Sequence, residues 1–570
     1  MPSKPSNLIY GVDDRPPAWA TLLLGLQHIG IFAISLVFPV IIAKQAGLEV
    51  EQASRLVSLS MIAAGIGVVV QAQRRGPVGS GFLCPQVCGP SFLTASVLAA
   101  KTGGLSLMFG MTFVAGALEA LFSRLVRRLR FLFPAEVTGL IVAMVGITVT
   151  KIAVGMFLGH DAETPQMRAN EVMVALATLA TMVGLNVWTS GSLRLFCIII
   201  GMTVGYLLSL MTGILDAGHL RKITESAWLY LPLSGHPGWS FSAEMILPFG
   251  IAMLCSSLKS VGDLITCQKI ADADWKRPDM DNVGRGILAD AAGAMSAGLL
   301  GGMGQSTSSS NIGLSIATGA ISRVIAYAVG ALLVVLAFCP KLAAVFAIMP
   351  EPVMGATLIF ALSFMVVAGF QIIMSRLIDS RKTFVVGVSL ILGLGADIVP
   401  GAFQIFPDWA QPIFSSSLST ATVTAILLNL VFRVGIAATA SLRLPPPGIN
   451  SAQQIYEFME TQGSKWGARR EVIAKATAAL DELMESAARA EIIHGPVTLD
   501  LSFDEYSLDI DIRYRGRPLL FPEQHPSTAE LLEDPEAMSR VAGYLVRRYA
   551  DEITSAEEGE LRIIRLHFEH

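Results

Sequence analysis

Charge is what this chain has least of. Asp, Glu, Lys and Arg make up 15% of its 570 residues, against about 25% in an ordinary soluble domain. The shortage is local: from Pro17 to Val434 charges are scarce, whereas from Gln453 to His570 they crowd together. With 53% hydrophobic residues, the pattern is one long apolar domain followed by one short polar one. A basic surplus is also lacking. The net charge is −4, which leaves no electrostatic footprint for nucleic acid. The six cysteines (Cys84, Cys88, Cys197, Cys255, Cys267 and Cys339) make no CxxC pair, which argues against a zinc site or a disulfide framework. They read as small side chains suited to apolar surroundings. The segment Met1–Pro17 lacks the apolar core and cleavage site of a signal peptide, so the first span is expected to be its own insertion signal. No nucleophile–base or metal constellation occurs among the apolar runs, so neither an enzyme nor a cofactor is expected.

What is present is a series of apolar runs. A transmembrane helix needs about 20 mostly apolar residues. Clear runs are Trp19–Ile42, Leu105–Leu121, Val137–Phe157, Val172–Val187, Leu195–Leu215, Met245–Ile265, Val324–Phe346 and Thr420–Val434. With the weaker and interrupted runs the total is about fourteen spans. Basic residues gather in alternate loops, at Arg74–Arg75, at Arg124, Arg127, Arg128 and Arg130, at Arg194, at Lys269, Lys276, Arg277 and Arg285, and at Arg376, Arg381 and Lys382. The positive-inside rule puts those loops in the cytoplasm. An even number of spans puts both termini there too. A proline triplet in Leu442–Asn450 marks a short stiff linker. Residues 1–441 are then the membrane domain, 442–451 the linker and 452–570 a small cytoplasmic α/β domain. In that domain helical patterns are expected at Ala452–Thr461, Arg469–Arg489 and Ser527–Tyr549. Strands are expected at Val497–Phe503, Ser507–Tyr514 and Leu561–Phe568.

Two interrupted spans point to function. Phe82–Ser96 carries Pro85, Gly89 and Pro90, and Gly301–Gly313 is a run of glycine and hydroxyl residues. Irregular backbone at membrane depth survives only where it is buried in protein or lines a cavity. Paired broken segments in two halves of a transporter mark its binding site, and each half-helix aims its positive N-terminal end there. The plain alternative is a pair of surface loops between short spans. Lys259 and Asp263 lie four residues apart on one helix face in an apolar run. Ionisable residues within a span are costly and read as pathway or site residues, unless these two simply pair with each other. Gln27 and His28 form a polar pair in the first span that could bond to neighbouring helices.

Together these segments resemble the nucleobase–ascorbate transporter family (nucleobase:cation symporters, including uracil, xanthine and urate permeases). The resemblance covers roughly Ala18–Phe432. It rests on GLQH in the first span, GPSF in the third and SVGD in the eighth. It continues in Ser309–Arg323 and Ile348–Ile373. It implies an all-α polytopic membrane protein of fourteen spans in two inverted seven-span repeats, with core and gate domains. Such a protein would be a homodimer in a bacterial-type inner membrane, moving a nucleobase with a proton or sodium ion. Carried over by position, the substrate-binding candidates are Ser35, Phe92, Lys259, Ser310 and Asn311. Gln27, His28 and Asp263 would support the site or couple the ion. Two positions depart from the family. Lys259 stands where the eighth-span motif opens on glutamate, and Ser310 where the tenth span holds Glu or Gln. A carboxylate accepts from ring N–H groups, whereas an ammonium only donates. The ligand is therefore expected to be an anion or acceptor-rich ring such as an oxopurine. Alternatively, it is an ordinary base, with Lys259 replacing the co-transported cation and abolishing ion coupling.

The polar tail resembles, more faintly, the GHKL ATPase fold of anti-sigma factors and histidine kinases, through Ala478–Ile493, Asp509–Leu519 and the closing ELRIIRLHFEH. Glu482 matches that family's glutamate, but Ser486 replaces its asparagine and Tyr514 stands where its nucleotide-reading aspartate is expected. A regulatory or dimerising module follows from these losses. The competing functional classes are an anion transporter of the related sulfate-permease fold and a permease-derived receptor signalling through the tail.

Overall fold

A computed structural model describes the chain apart from residues 1–3, 7, 130–131, 160–167, 190–191, 231, 233–234, 274, 276–277, 376–377, 400–404, 408–413, 415, 433–436, 447–450, 490–491, 505–506, 523, 525–536, 559–560 and 570. It divides into two compact units, Met1–Val431 and Phe432–His570. Of the basic loop residues, Arg130, Lys276, Arg277 and Arg376 lie outside the described residues.

The first unit is helical because its sequence is apolar over lengths that a helix must bury or give to lipid. Among the described residues seven helices are long and apolar enough to cross a membrane: Ala18–Gln45, Val50–Gln71, Pro90–Val126, Ala135–Leu158, Ala169–Trp188, Ala243–Ala271 and Glu351–Ile373. Arg323–Ala337 and Pro340–Ala347 bend by 83° and make an eighth if taken as one span. Cys197–Met211 and Ser417–Phe432 are shorter apolar helices. Close packing relies on small residues, which let backbones approach. A Cβ on Gly369, in Glu351–Ile373, would lie 2.5 Å from Ala143 N and 2.6 Å from Gly139 O of Ala135–Leu158.

The two interrupted spans have a common form. Gln86–Cys88 is strand β1, followed by a 3₁₀ turn at Pro90–Phe92 and a helix from Leu93. That helix breaks at Gly103–Gly104, where Gly104 takes φ 71°, and resumes to Leu129. Gln305–Thr307 is strand β2, followed by the helix Ser309–Thr318 of 10 residues. At 1.5 Å per residue that helix is about 15 Å long, half of the roughly 30 Å hydrocarbon core. Before β2 the helix Met280–Leu300 stops at Gly301, whose φ of 96° turns the chain out of the helix. β1 and β2 pair antiparallel, with Gln86 opposite Thr307 and Cys88 opposite Gln305. Gly89 N donates to Gly304 O at 2.8 Å and Ser308 N to Pro85 O at 2.9 Å, closing the ladder at both ends. The backbone freed by the breaks is thus satisfied inside the protein, as burial requires.

The second unit is a five-stranded antiparallel sheet in the order β3-β4-β5-β7-β6. Its strands are β3 (Ala438–Leu444), β4 (Val497–Phe503), β5 (Ser507–Arg515), β6 (Glu552–Glu558) and β7 (Leu561–Glu569). Alternate residues Val497, Leu499, Leu501 and Phe503, with Leu508, Ile510, Ile512 and Tyr514, form a core with Ile455, Met459, Leu480 and Leu483. Those last four come from the helices Ser451–Trp466 and Arg470–Arg489. The boundary lies earlier than the proline triplet suggests. Ala438–Leu444 pairs along β4, so Leu442–Leu444 of the expected linker is sheet, while 447–450 lies outside the described residues. β6 was not expected either. Its sequence EITSAEE has little apolar alternation, and pairing with β7 is what makes it a strand. Of the helical stretch expected at Ser527–Tyr549, Ala537–Tyr549 is helix and residues 525–536 lie outside the described residues.

Candidate functional site

The second half-helix organises the site. Ser308 caps its N-terminus, accepting from Asn311 N at 3.4 Å and from Asn311 Nδ2 at 2.9 Å. That leaves Asn311 Oδ1 to face the first helix, where His28 Nδ1 lies 2.8 Å away. The amide oxygen can only accept, so the imidazole donates from Nδ1. His28 and Asn311 are both buried, and their bond ties the helix Ala18–Ser35 to the half-helix.

Lys259 and Asp263 lie on the helix Ile246–Ala271, 3.2 Å apart, with side chains 11% and 9% exposed. Lys259 Nζ also donates to the Thr307 carbonyl of β2. Asp263 accepts further from Thr307 Oγ1 at 2.6 Å and from Ser309 Oγ at 2.7 Å. This carboxylate therefore has donors on both oxygens, and the Lys259 ammonium has an acceptor at each side. Such a pair persists in low dielectric because its hydrogen bonds are completed.

The other expected residues are placed differently. Phe92 is 0% exposed, and a Cβ on Gly304 would lie 2.7 Å from its ring. In this conformation the ring packs on the strand pair and offers no open face. Ser310 is exposed at the start of the second half-helix. Ser35 is buried, and its hydroxyl donates to Phe32 O at 2.7 Å, within its own helix. Gln27 is partly buried, and its Oε1 has no partner among the described residues. Lys259, Asp263, Asn311 and His28 thus come together around the half-helix, whereas Ser35 and Phe92 are held by local contacts.

Several residues of the constellation were not singled out in the sequence. Asp290, on Met280–Leu300, accepts from Ser260 Oγ at 2.5 Å, and Ser260 lies 3.0 Å from Thr307 Oγ1. Glu119, on the helix from Leu105, accepts from Ser257 Oγ at 2.6 Å. Gln86 of β1 donates to Ala289 O at 3.0 Å, and a Cβ on Gly67 or on Gly293 would collide with its side chain. Asp290 and Glu119 were legible: each is an acid in an apolar run, the same signal that marked Asp263.

Apolar helices of spanning length, broken by two half-helices that meet over buried polar groups, define a multi-pass membrane transporter. The chain belongs to the permease family Xan_ur_permease, which matches residues 19–401. It is 30% identical to the xanthine permease XanQ of Escherichia coli strain K12 over 464 residues, covering 79% of this chain and 98% of that one. It is 26% identical to the nucleobase transporter PlUacP of Paenibacillus larvae, covering 73% and 95%. Among solved structures, the murine Slc26a9 anion transporter in its inward-facing state superposes with a TM-score of 0.50 at 10% identity. That match covers 76% of this chain and 71% of that one, and is a likeness of fold alone.

Proposed function

We propose that this protein is a secondary active transporter of nucleobase-like compounds such as xanthine, urate or uracil. The observation that carries the reading is the meeting of two half-helices at the β1–β2 ladder, in a chain similar to a xanthine permease over most of its length. Substrate would sit beside the half-helix N-termini, with Ser310 and Asn311 at the second and Phe92 at the first. Ser35 and Lys259 would lie on the substrate side, while Gln27, His28 and Asp263 would support it. In this reading the chain has fourteen spans in two inverted repeats and works as a homodimer. It would lie in a bacterial-type inner membrane with both termini in the cytoplasm, moving substrate with a proton or sodium ion. The polar unit is a GHKL-like module that regulates or dimerises the carrier.

The contacts of Lys259 support the ordinary base of the second reading but not its loss of coupling: the ammonium takes an alkali cation's place and a proton is left to couple transport. The charge of Lys259 is already taken up by Asp263 and the Thr307 carbonyl. A carboxylate, a backbone carbonyl and neighbouring hydroxyls are the ligands that a bound alkali cation would use, and here a tethered ammonium has them. Counterflow in proteoliposomes across purines, pyrimidines and organic anions tests the proposal. Exchange of a nucleobase is expected, and exchange of organic anions alone would sink it. Lys259→Glu is expected to change ion dependence more than substrate choice.

A further inference from the structure

Asp263, Glu119 and Asp290 are buried acids on three helices packed against one another, and their hydrogen bonds divide them into two kinds. Asp263 is donated to on Oδ2 by Lys259 and Thr307 and on Oδ1 by Ser309. Glu119 and Asp290, each 0% exposed, have one serine donor apiece. Their second oxygens, Oε2 and Oδ1, have no partner among the described residues. An ionised carboxylate without donors or a counter-ion is far costlier at membrane depth than a neutral carboxyl group.

We infer that Glu119 is a proton-holding site of the transport cycle, carrying its proton on Oε2. The inference rests on the transport reading and makes the proton the coupling ion. Among the described residues, no cation on the helices packed against Glu119 is bonded to it. From Ile246–Ala271 it meets the Ser257 hydroxyl, and the Lys259 of that helix is bonded to Asp263. From Met280–Leu300 the charged neighbour is Asp290, a second acid. On Val37–Gln45, Lys44 is engaged by the Met349 carbonyl at 3.1 Å and by Glu351 at 3.7 Å. Glu244, in the turn that precedes Ile246–Ala271, is exposed, and so are Lys101 and Arg124 on the helix of Glu119 itself.

Ser257 and Ser260 lie one turn apart on one helix face, so the two serines hold Glu119 and Asp290 in register. Ser260, whose proton goes to Asp290, also lies 3.0 Å from Thr307 Oγ1, and Thr307 in turn donates to Asp263 at the mouth of the half-helix. The helix Ile246–Ala271 thus carries both the Glu119 contact and the contacts to the half-helix. The proton balance is simple: one O–H bond forms on Oε2 from water on one side of the membrane and breaks to water on the other.

Two measurements on the full-length protein test this. In infrared spectra of purified protein at neutral pH, a protonated-carboxyl carbonyl band is expected that Glu119→Gln removes and Ser257→Ala shifts. In proteoliposomes, one proton per substrate across a one-unit pH gradient supports about tenfold accumulation of a nucleobase. Glu119→Gln is expected to abolish that accumulation while lowering counterflow, which needs no net proton movement, much less. A band unchanged in Glu119→Gln, or accumulation that persists in it, would overturn the assignment. If Glu119→Gln does not fold, a band unmoved by Ser257→Ala overturns it equally. Wild-type protein that exchanges no nucleobase would instead defeat the substrate reading, and the infrared band would still decide whether Glu119 holds a proton.

Discussion

Lys259 and Asp263 hold each other in a place where neither could stay alone. Replacing Asp263 by Leu leaves a buried ammonium with one carbonyl acceptor, which is expected to cost about 3–5 kcal/mol. Adding Lys259→Met should recover most of that loss, because two apolar side chains need no partner. Thermal unfolding midpoints of the detergent-purified variants check both, and a double variant no more stable than Asp263→Leu would refute the pairing. In the polar unit, His567 Nδ1 lies 2.7 Å from Asp509 Oδ1. That bond raises the imidazole above its ordinary value of 6.5. The stability from this pair is present in full below the unfolded value and fades as pH rises through the higher folded one. Hydrogen exchange of the Leu561–Glu569 peptide, corrected for intrinsic rates, should therefore be faster at pH 8 than at pH 6. In His567→Gln the difference should vanish.

At the scale of elements, the broken spans and their meeting at one site were legible, but the strand register that joins them was not. Pro85 and Pro90 interrupt a helix, and the three glycines of Gly301–Gly304 disfavour one, so both breaks can be read locally. β1 and β2 are three residues each, too short for any alternation to register. Cys88 and Gln305, which face each other, are 217 positions apart. Helix packing has the same character. Gly369 and Gly387 look alike in sequence, yet a Cβ meets backbone 2.5 Å away at the first and nothing within 4 Å at the second. Gly369→Ala is expected to destabilise by about 1–3 kcal/mol through overpacking. Gly387→Ala should be neutral or slightly stabilising, since alanine favours helix over glycine by about 1 kcal/mol. Unfolding midpoints that move equally in both variants would show that the close approach is absent.

At the scale of the whole molecule, the two compact units have separate cores, and transport in this reading belongs to the first. A chain ending after Val431 is expected to keep nucleobase counterflow within about threefold of the full chain, a change below 1 kcal/mol in the barrier. Loss of all exchange would favour a signalling or obligate role for the tail. Composition alone separated the apolar and polar parts, because lipid and water demand different surfaces, and single residues such as Asp263 and Lys259 announced themselves through the cost of burying charge. The order of the strands, the entry of Ala438–Leu444 into the sheet and the hydrogen bond from Lys259 to a carbonyl of β2 were decided only by tertiary structure. The physical reason is range. Hydropathy and backbone breaks act within a few residues and are written in the chain, whereas a hydrogen bond between segments hundreds of residues apart exists only once the helices have packed. The sequence therefore determined that ionisable residues lie within apolar helices, and the fold decided which acid has donors on both oxygens and which does not.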